Sequence, residues 1–380
     1  MAKLPQKGWS WIEVLHELYK ILHSIPNHLA NNILGSMTTI PHPLAKIVFE
    51  LFHLYNINDI AMYEKLREIE VEAVEMMGEI LGCTRCTGMI TSGGSEANLA
   101  ALYLAREHGY NIVFAAPTAH DSVFKAANML RMEVVPLEID KSYTISISDL
   151  EKKCRERGSG IIVATLGTTG IGTIDPIEEI SQIAKECDCV VHIDAAFGGF
   201  VAPFLYRDQK LGFQNEAVVS VTMDPHKLGL VPIPAGGLIV RDEDWFKPLI
   251  FEAKYMPAGI QIGLLGTRTA GSAIATWAML KYMGWRGYEE QAKELMNRTR
   301  KLIAMLKENN IELVVEPKVP IVCIDIRNEN VFKELWNRGF MVYRCGIVEG
   351  IRIVVMPHVL EEYLESFVKT LVNLINTFHS

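Results

Sequence analysis

Short apolar runs alternate with stretches of helical periodicity through the middle of the chain, from about residue 88 to residue 240. Six of the runs have the length and composition of strands, and they cover residues 88–91, 112–115, 134–137, 161–165, 190–194 and 218–222. Alternation of this kind predicts an α/β fold, in which helices cover both faces of a mostly parallel sheet. Ligands of such sheets bind beyond the carboxyl ends of the strands, so the residues that follow each run are the first candidates for chemistry.

The two ends of the chain have different patterns. Apolar residues recur at helical spacing over residues 11–25, and the charged residues between them exclude a signal peptide. A helical pattern over 288–307 is followed by strand-like runs at 314–315, 321–326 and 351–355. We therefore predict an N-terminal helical segment over 1–50, a large domain over 51–285 and a small C-terminal α+β domain over 286–380.

Composition narrows the classes of function. Hydrophobic residues make up 49% of the 380 residues, enough for a full core. The net charge of −8 argues against a nucleic-acid partner, since such proteins carry a basic face. Residues 21–45 lack charged side chains but contain many polar ones, so we expect no membrane span. Seven scattered cysteines predict reduced thiols and a cytoplasmic location.

Lys227 ends the segment Ser-Val-Thr-Met-Asp-Pro-His-Lys at 220–227, just after an apolar strand and beside His226. Burial in an apolar setting favours the uncharged amine, which is the form that attacks a carbonyl group to make a Schiff base. A lysine at this point also fits a solvated surface position. The catalytic interpretation therefore depends on a partner that a cofactor would need.

Asp194 is that partner, in the segment His-Ile-Asp-Ala-Ala-Phe-Gly-Gly at 192–199. A carboxylate at a buried strand end needs a cation, and a pyridinium N–H serves, because the pair keeps the ring electron-withdrawing. The small Ala196 leaves room for a flat ring. A helix N-cap is the alternative role for Asp194. Together, Lys227 and Asp194 predict pyridoxal 5′-phosphate (PLP) as cofactor.

A glycine turn precedes a predicted helix in the segment Thr-Ser-Gly-Gly-Ser-Glu-Ala-Asn at 91–98. Helix N-termini offer free N–H groups to a phosphate, so Gly94 and Ser95 are the predicted phosphate ligands, although a simple capped turn fits equally. His120 and Thr169 also follow predicted strands. The imidazole of His120 could stack on a cofactor ring or transfer protons, and a capped surface residue is the alternative. The hydroxyl of Thr169 could donate to the ring substituents.

Two cysteine pairs, Cys83 with Cys86 and Cys187 with Cys189, suggest a zinc-binding protein as a competing interpretation. The second pair is one residue closer than the usual zinc spacing. Free thiols in the core are therefore favoured, and no metal is predicted.

In this order, the motifs resemble those of the group II PLP-dependent decarboxylases over most of the chain. The segments at 33–37, 233–237, 265–268 and 352–358 are most similar to archaeal tyrosine/aspartate decarboxylases. The resemblance implies the fold of aspartate aminotransferase, which is fold type I, and a homodimer with active sites at the subunit interface.

The resemblance also implies residue roles. Lys227 would carry PLP as a Schiff base next to His226, Asp194 would pair with the ring nitrogen, and His120 would stack on the ring. Arg352 would hold the substrate carboxylate, because a guanidinium matches a carboxylate with two hydrogen bonds, although an exposed strand arginine is the alternative. Tyr255 is a candidate proton donor.

The implied reaction is decarboxylation of an L-amino acid, and the favoured cases are L-aspartate to β-alanine or L-tyrosine to tyramine. Residues 56–66 depart from the relatives' pattern, with only Asp59 retained, and this departure leaves the substrate open. Glutamate decarboxylation, carbon-carbon bond cleavage in a phosphorylated long-chain amine and amino transfer are the competing reactions on the same fold.

Overall fold

The computed structural model describes residues 3–28 and 33–378. A seven-stranded sheet has the order β1-β7-β6-β5-β4-β2-β3. Its strands are β1 (Thr87–Thr91), β2 (Ile112–Ala115), β3 (Glu133–Pro136), β4 (Ile161–Thr165), β5 (Val190–Asp194), β6 (Val218–Met223) and β7 (Gly236–Val240). Each of the six predicted runs forms a strand, and β2 to β6 pair in parallel.

Strand β7 was missed by the sequence analysis. It runs antiparallel to both β1 and β6 and lies between them. Gly236 and Gly237 begin the strand, and glycine has a low strand propensity, so no local pattern announces it. Side chains have no room there, because a Cβ on Gly236 would lie 2.5 Å from the backbone of Gly93.

Twelve helices lie in the described ranges: α1 (Trp11–Ser24), α2 (Pro43–Phe52), α3 (Glu64–Ile80), α4 (Gly94–Glu107), α5 (Asp121–Met129), α6 (Ile147–Arg157), α7 (Ile177–Glu186), α8 (Ala202–Leu205), α9 (Glu243–Phe246), α10 (Ala270–Glu308), α11 (Glu329–Asn337) and α12 (Glu361–Phe378). Alternate residues of β4 belong to different apolar clusters. Ile162 packs in the cluster that contains Ile180 of α7, and Ile161 in the cluster that contains Leu102 of α4. Both faces of the sheet are thus covered, as predicted for parallel strands.

A second sheet of three strands has the order β10-β12-β11, formed by β10 (Ile321–Ile324), β11 (Tyr343–Arg344) and β12 (Ile351–Val354). The run at 314–315, predicted as a strand, is not one: Val314 donates to the carbonyl of Cys323, but the only bridge nearby is an isolated one. The boundary predicted near residue 285 lies inside α10, beside Gly284, whose φ of 56° interrupts the helix. The three-part division stays a prediction.

Four of the seven cysteines form disulfides, which corrects the expectation of free thiols. Cys83 is bonded to Cys86, and Cys323 to Cys345. The first pair shares the turn between α3 and β1, and the second joins β10 to the residue after β11, so the fold brings each pair within bonding reach. The other three are free, namely Cys154, Cys187 and Cys189. The described part of the chain holds no cluster of three or more metal-binding side chains.

Helices of the described ranges are too short or too polar to cross a membrane. A small hairpin, β8 (Ile250–Glu252) and β9 (Ile260–Ile262), extends from the large sheet region and carries Tyr255 on its loop.

Candidate functional site

Lys227 lies in the loop that follows β6, three residues after Asp224. Its Nζ atom is 3.1 Å from the Oδ2 atom of Asp224, and the same oxygen is 3.5 Å from Nε2 of His226. The prediction that the lysine lies in a mainly apolar setting is therefore wrong in one respect, because the buried carboxylate of Asp224 contacts its amine. Burial lowers the pKa of His226 and so favours the neutral imidazole, although the nearby carboxylate of Asp224 acts in the opposite direction.

The glycine turn before α4 packs directly on this loop. A Cβ added to Gly94 would lie 2.9 Å from Oδ2 of Asp224 and 3.2 Å from Cβ of Ala196. A Cβ on Gly93 would lie 3.1 Å from Cε1 of His226. Glycine is thus required for the turn, the loop of Lys227 and the segment after β5 to approach each other this closely.

Helix α4 begins at Gly94 and points its N-terminus at this junction. The first N–H groups of a helix have no partner within the helix, and the positive end of its dipole favours an anion. Ser95 is exposed there, and its hydroxyl is accessible. The predicted phosphate ligands therefore lie beside the loop of Lys227.

Asp194 ends β5 and is only 5% exposed. Its Oδ1 accepts from the backbone N–H of Ala196 at 3.1 Å and its Oδ2 from the amide of Asn98 at 2.9 Å. No ion pair to Asp194 occurs among the described residues. A buried carboxylate without a cation is costly, so a cationic ligand group suits this position.

Asn98 was quoted within the 91–98 motif, but its role was missed. Its Nδ2 lies 2.9 Å from both Asp194 Oδ2 and Ser122 Oγ, and its Oδ1 lies 3.0 Å from Nε2 of His192. Ser122 Oγ in turn lies 2.9 Å from Nδ1 of His120. A polar residue four positions after Gly94 lies on the same face of the helix, and this spacing was the available signal.

His120 is the N-cap of α5, where its Nδ1 accepts from the backbone N–H of Ser122 at 3.2 Å. The capping role, which was the alternative prediction for His120, is therefore present in the structure. His120 also lines a cavity of about 420 Å³ together with Thr169 and Arg352. The structure thus brings together two strand-end residues of the large sheet and one arginine of the small sheet.

Arg352 lies on β12 and is only 7% exposed, which excludes an exposed strand arginine. Its Nη1 donates to the carbonyl of Thr169 at 3.0 Å and its Nη2 to the carbonyl of Gly35 at 2.9 Å. The Nε atom is buried and has no hydrogen-bond partner among the described residues. Burial lowers the pKa of the guanidinium, as expected for a cation without a carboxylate partner. Thr169 contributes its carbonyl here, whereas its hydroxyl was the predicted group.

Tyr255 is 77% exposed on the loop of the β8–β9 hairpin. Its hydroxyl lies 3.5 Å from Oε1 of Gln261, a residue of the same hairpin. It does not line the cavity of His120 and Arg352. Within one chain, the structure does not bring Tyr255 to the other predicted residues, because the hairpin carries it outward.

The segment 56–66, which departs from the relatives' pattern, contacts Arg268 through two asparagines at its start, Asn56 and Asn58. Oδ1 of Asn58 accepts from Nε and Nη2 of Arg268 at 3.2 and 3.1 Å. The backbone N–H of Arg268 donates to Oδ1 of Asn56. Arg268 also forms a buried ion pair with Glu70. Burial opposes the charge on Glu70, but Arg268 and Arg67 outweigh it and lower the pKa of the carboxyl to about 2.

Comparisons with known proteins agree with this geometry. The family model described as "Pyridoxal-dependent decarboxylase conserved domain" matches residues 3–327. The chain is 39% identical to L-aspartate decarboxylase of Thermococcus kodakarensis, over 97% of this chain and 98% of that protein. It is 35% identical to L-tyrosine/L-aspartate decarboxylase of Methanocaldococcus jannaschii, over 98% of each chain.

Solved structures give the same fold at lower identity. Sphingosine-1-phosphate lyase of Burkholderia pseudomallei superposes with a TM-score of 0.89 at 22% identity, over 99% of this chain and 93% of the other. Glutamate decarboxylase of Lactobacillus brevis superposes with a TM-score of 0.86 at 19% identity, over 99% and 94%. The predicted fold, fold type I with a mostly parallel large sheet, is confirmed.

Proposed function

Because the chain belongs to the pyridoxal-dependent decarboxylase family, and so uses PLP to remove a carboxyl group from an amino acid, we propose that its substrate is L-aspartate or L-tyrosine. The products are then β-alanine or tyramine. The observation that carries the proposal is that the buried guanidinium of Arg352 lines the same cavity as His120. A carboxylate anchor and a residue suited to stack on a ring then face one substrate-sized space.

The residues present fit the cofactor. The turn at Gly94 leaves no room for a side chain, and its N-terminal helix position suits the phosphate, with Ser95 as a further donor. Asp194 is a buried carboxylate that pairs with no cation among the described residues, and it suits the ring nitrogen. Lys227 is the proposed point of covalent attachment. Contacts to the cofactor are also proposed for Ala196, His226 and Thr169.

Each proposed role follows from position. When bound, PLP supplies a protonated ring that accepts the electrons left by the departing carboxylate. Arg352 orients the substrate carboxylate, which decides the bond that breaks, since only a correctly aligned bond reacts. Tyr255 does not line the cavity of its own chain, so it donates a proton only if the hairpin of a second subunit enters the site.

A homodimer is proposed for the same reason, and helix α1 supports it independently. None of its residues is buried, although one side carries a row of large apolar residues at helical spacing. The row consists of Trp11, Leu15, Leu18 and Leu22. An exposed apolar surface of this size marks an interaction site. A second subunit is the partner that the family resemblance implies.

The cytoplasmic location is also a proposal. Disulfides are rare in reducing compartments, but intracellular proteins of hyperthermophilic archaea carry them. The two bonds of this chain are therefore compatible with a cytoplasmic protein related to those of archaea.

The test compares L-aspartate, L-tyrosine and L-glutamate as substrates of the PLP-loaded protein, with carbon dioxide and amine measured together. We expect carbon dioxide and a matching amine from L-aspartate or L-tyrosine, and no product from a Lys227→Ala variant. Release from L-glutamate alone would assign a glutamate decarboxylase. Transfer of the amino group to a keto acid, or cleavage of a phosphorylated long-chain amine without carbon dioxide, would overturn the proposal.

A further inference from the structure

Five side chains form a continuous row of hydrogen bonds, in which four members are buried and the fifth, His120, is exposed at the cavity. Oγ of Ser220 lies 2.8 Å from Nδ1 of His192, whose Nε2 lies 3.0 Å from Oδ1 of Asn98. Nδ2 of Asn98 lies 2.9 Å from Oγ of Ser122, and that oxygen lies 2.9 Å from Nδ1 of His120. The row branches at Asn98, whose amide nitrogen also donates to Asp194.

The direction of each bond on the His192 side follows from Asp194. An ionised carboxylate only accepts hydrogen bonds, so Asn98 must turn its NH₂ group toward Asp194. Its Oδ1 then faces His192 and needs a donor. Burial lowers the pKa of His192 to about 4, although Asp194 opposes this, so the ring is neutral near pH 7 and has a single N–H.

That N–H is therefore on Nε2 of His192, pointing at Asn98, and Nδ1 accepts from the hydroxyl of Ser220. The hydroxyl of Thr222 lies 3.3 Å from the same Nε2, so the N–H is shared between a near acceptor and a more distant one. All of these groups are buried, and water does not compete for them.

The direction on the His120 side follows from the second hydrogen of the Asn98 amide. That hydrogen points at Oγ of Ser122, which leaves the hydroxyl hydrogen of Ser122 free to donate to Nδ1 of His120. The backbone N–H of Ser122 donates to the same nitrogen. Two donors aimed at Nδ1 require a lone pair there, so the proton of neutral His120 is on Nε2.

We propose that Asn98 is a positioning residue, whose amide, oriented by His192, holds the carboxylate of Asp194 and, through the hydroxyl of Ser122, reinforces the Nε2–H tautomer of His120 that the backbone N–H of Ser122 also favours. The inference rests on the proposed roles of Asp194 and His120. One amide group thus sets two properties of the site: the alignment of the carboxylate meant for the ring nitrogen, and the hydrogen-bond donor that His120 offers to the cavity.

The tautomer is measured first, on the cofactor-free full chain with ¹⁵N-labelled histidine. Long-range ¹H–¹⁵N correlation spectra at pH 7 distinguish Nδ1–H from Nε2–H rings, and a His120→Gln variant assigns one ring among the 11 histidines. We expect His120 and His192 both as Nε2–H tautomers. A proton on Nδ1 of His120 in the unaltered protein would overturn the inference without any variant.

Matched variants then test the link to the cofactor. Asn98→Asp keeps the size but places acceptors opposite Asp194 and Ser122, so we expect a mixed His120 tautomer and PLP affinity weaker by about 10- to 100-fold, the range for a hydrogen bond to a charged group. His192→Gln keeps a donor near Nε2, and we expect affinity within about 3-fold of the original. His192→Phe removes that donor and should resemble the Asn98 variant.

Asn215→Asp is the control, since Asn215 is also buried, but among the described residues its side-chain amide donates only to the carbonyls of Lys210 and Gly212. Thermal unfolding of each variant separates misfolding from a local effect, and Asn98→Ser is the substitute if Asn98→Asp does not fold. If Asn98→Asp and His192→Phe both match Asn215→Asp in His120 tautomer and PLP affinity, the inference is wrong. Failure of the unaltered chain to bind PLP would instead contradict the proposed function.

Discussion

The Nζ atom of Lys227 lies 3.1 Å from the Oδ2 atom of Asp224, in the loop that follows β6. The carboxylate is buried, and its other oxygen has no hydrogen-bond partner among the described residues. A Cβ added to Gly94 at the helix N-terminus would lie 2.9 Å from the same carboxylate. Asp224 therefore fixes the lysine amine at the junction where the proposed phosphate and ring positions meet, although the sequence analysis assigned it no role.

Removal of the Lys227 amine should abolish covalent attachment of PLP. After treatment with PLP and borohydride, mass spectrometry of the unaltered protein should show one added cofactor on the peptide that contains Lys227, and Lys227→Ala should show none there. Lys185→Ala, at an exposed lysine paired with Glu216, should retain the adduct. An adduct in Lys227→Ala at another single lysine would contradict the assignment.

Gly94→Ala should weaken PLP binding by about 10-fold or more, a change worth about 1.4 kcal/mol per factor of ten. The new Cβ would lie 2.9 Å from the Asp224 carboxylate and 3.2 Å from Cβ of Ala196, both buried, so the turn must shift. Equilibrium titration with PLP measures the effect. Gly8→Ala, where a Cβ meets nothing within 4 Å, should bind PLP normally. Equal affinities of the two variants would exclude Gly94 from the phosphate site.

Arg352→Lys should reduce kcat/KM for the amino-acid substrate by about 10-fold to 1,000-fold, because a lysine keeps the charge but loses the planar fork. PLP affinity should change little, since Arg352 donates to the backbone carbonyls of Thr169 and Gly35, whereas the cofactor contact proposed for Thr169 uses its hydroxyl. Steady-state kinetics and PLP titration on the same preparation separate the two effects. Arg286→Lys, at an exposed arginine, is the control. Unchanged kcat/KM would show that another group holds the substrate carboxylate.

Glu70 should make the free energy of unfolding depend on pH in the acidic range. The pKa of its carboxyl is lowered from 4.5 to about 2 in the folded chain, so the unfolded chain takes up a proton first as the pH falls. The stabilisation is thus complete above pH 4.5 and is lost as the pH falls toward 2. Glu70→Gln should lose about 3–5 kcal/mol at pH 7, because the buried Arg268 and the partly buried Arg67 lose their carboxylate partner, and less at pH 4.

Urea unfolding at pH 7 and pH 4 measures this dependence. Glu68→Gln is the matched control, because Glu68 lies on the same helix but forms an exposed ion pair with Lys65. That pair should contribute at most about 1 kcal/mol. A loss for Glu70→Gln that is the same at both pH values would contradict the linkage.

The apolar row of α1 should hold two subunits together. Leu18→Glu with Leu22→Glu places two charges in that row and should shift sedimentation from dimer toward monomer. His16→Glu, a charge outside the row on the same helix, should leave the dimer intact. Since Tyr255 reaches a site only from a second subunit, decarboxylation should fall together with dimer content. A monomeric unaltered protein with full activity would contradict both proposals.

Several parts of the fold and site were predictable from the sequence because they depend on local pattern. Six strands of the large sheet show as short apolar runs, since a strand buried on both faces carries apolar side chains throughout. Lys227, Asp194, His120 and Thr169 were singled out as candidates because each ends or follows such a run, and parallel strands place their carboxyl ends along one edge. Length and spacing therefore determined the fold class and the main candidate residues.

Only the tertiary structure decided which groups touch. The bond from Asn98 to Asp194 joins residues 96 positions apart, and the bond from Asn58 to Arg268 spans 210. No local period encodes contacts at such separations, because they depend on how helices dock on the sheet. The partner of Lys227 is near in sequence, but only the turn of the loop aims the Asp224 carboxylate at the amine. Lys227 was thus identified by its place after a strand, and its electrostatic surroundings were set by packing.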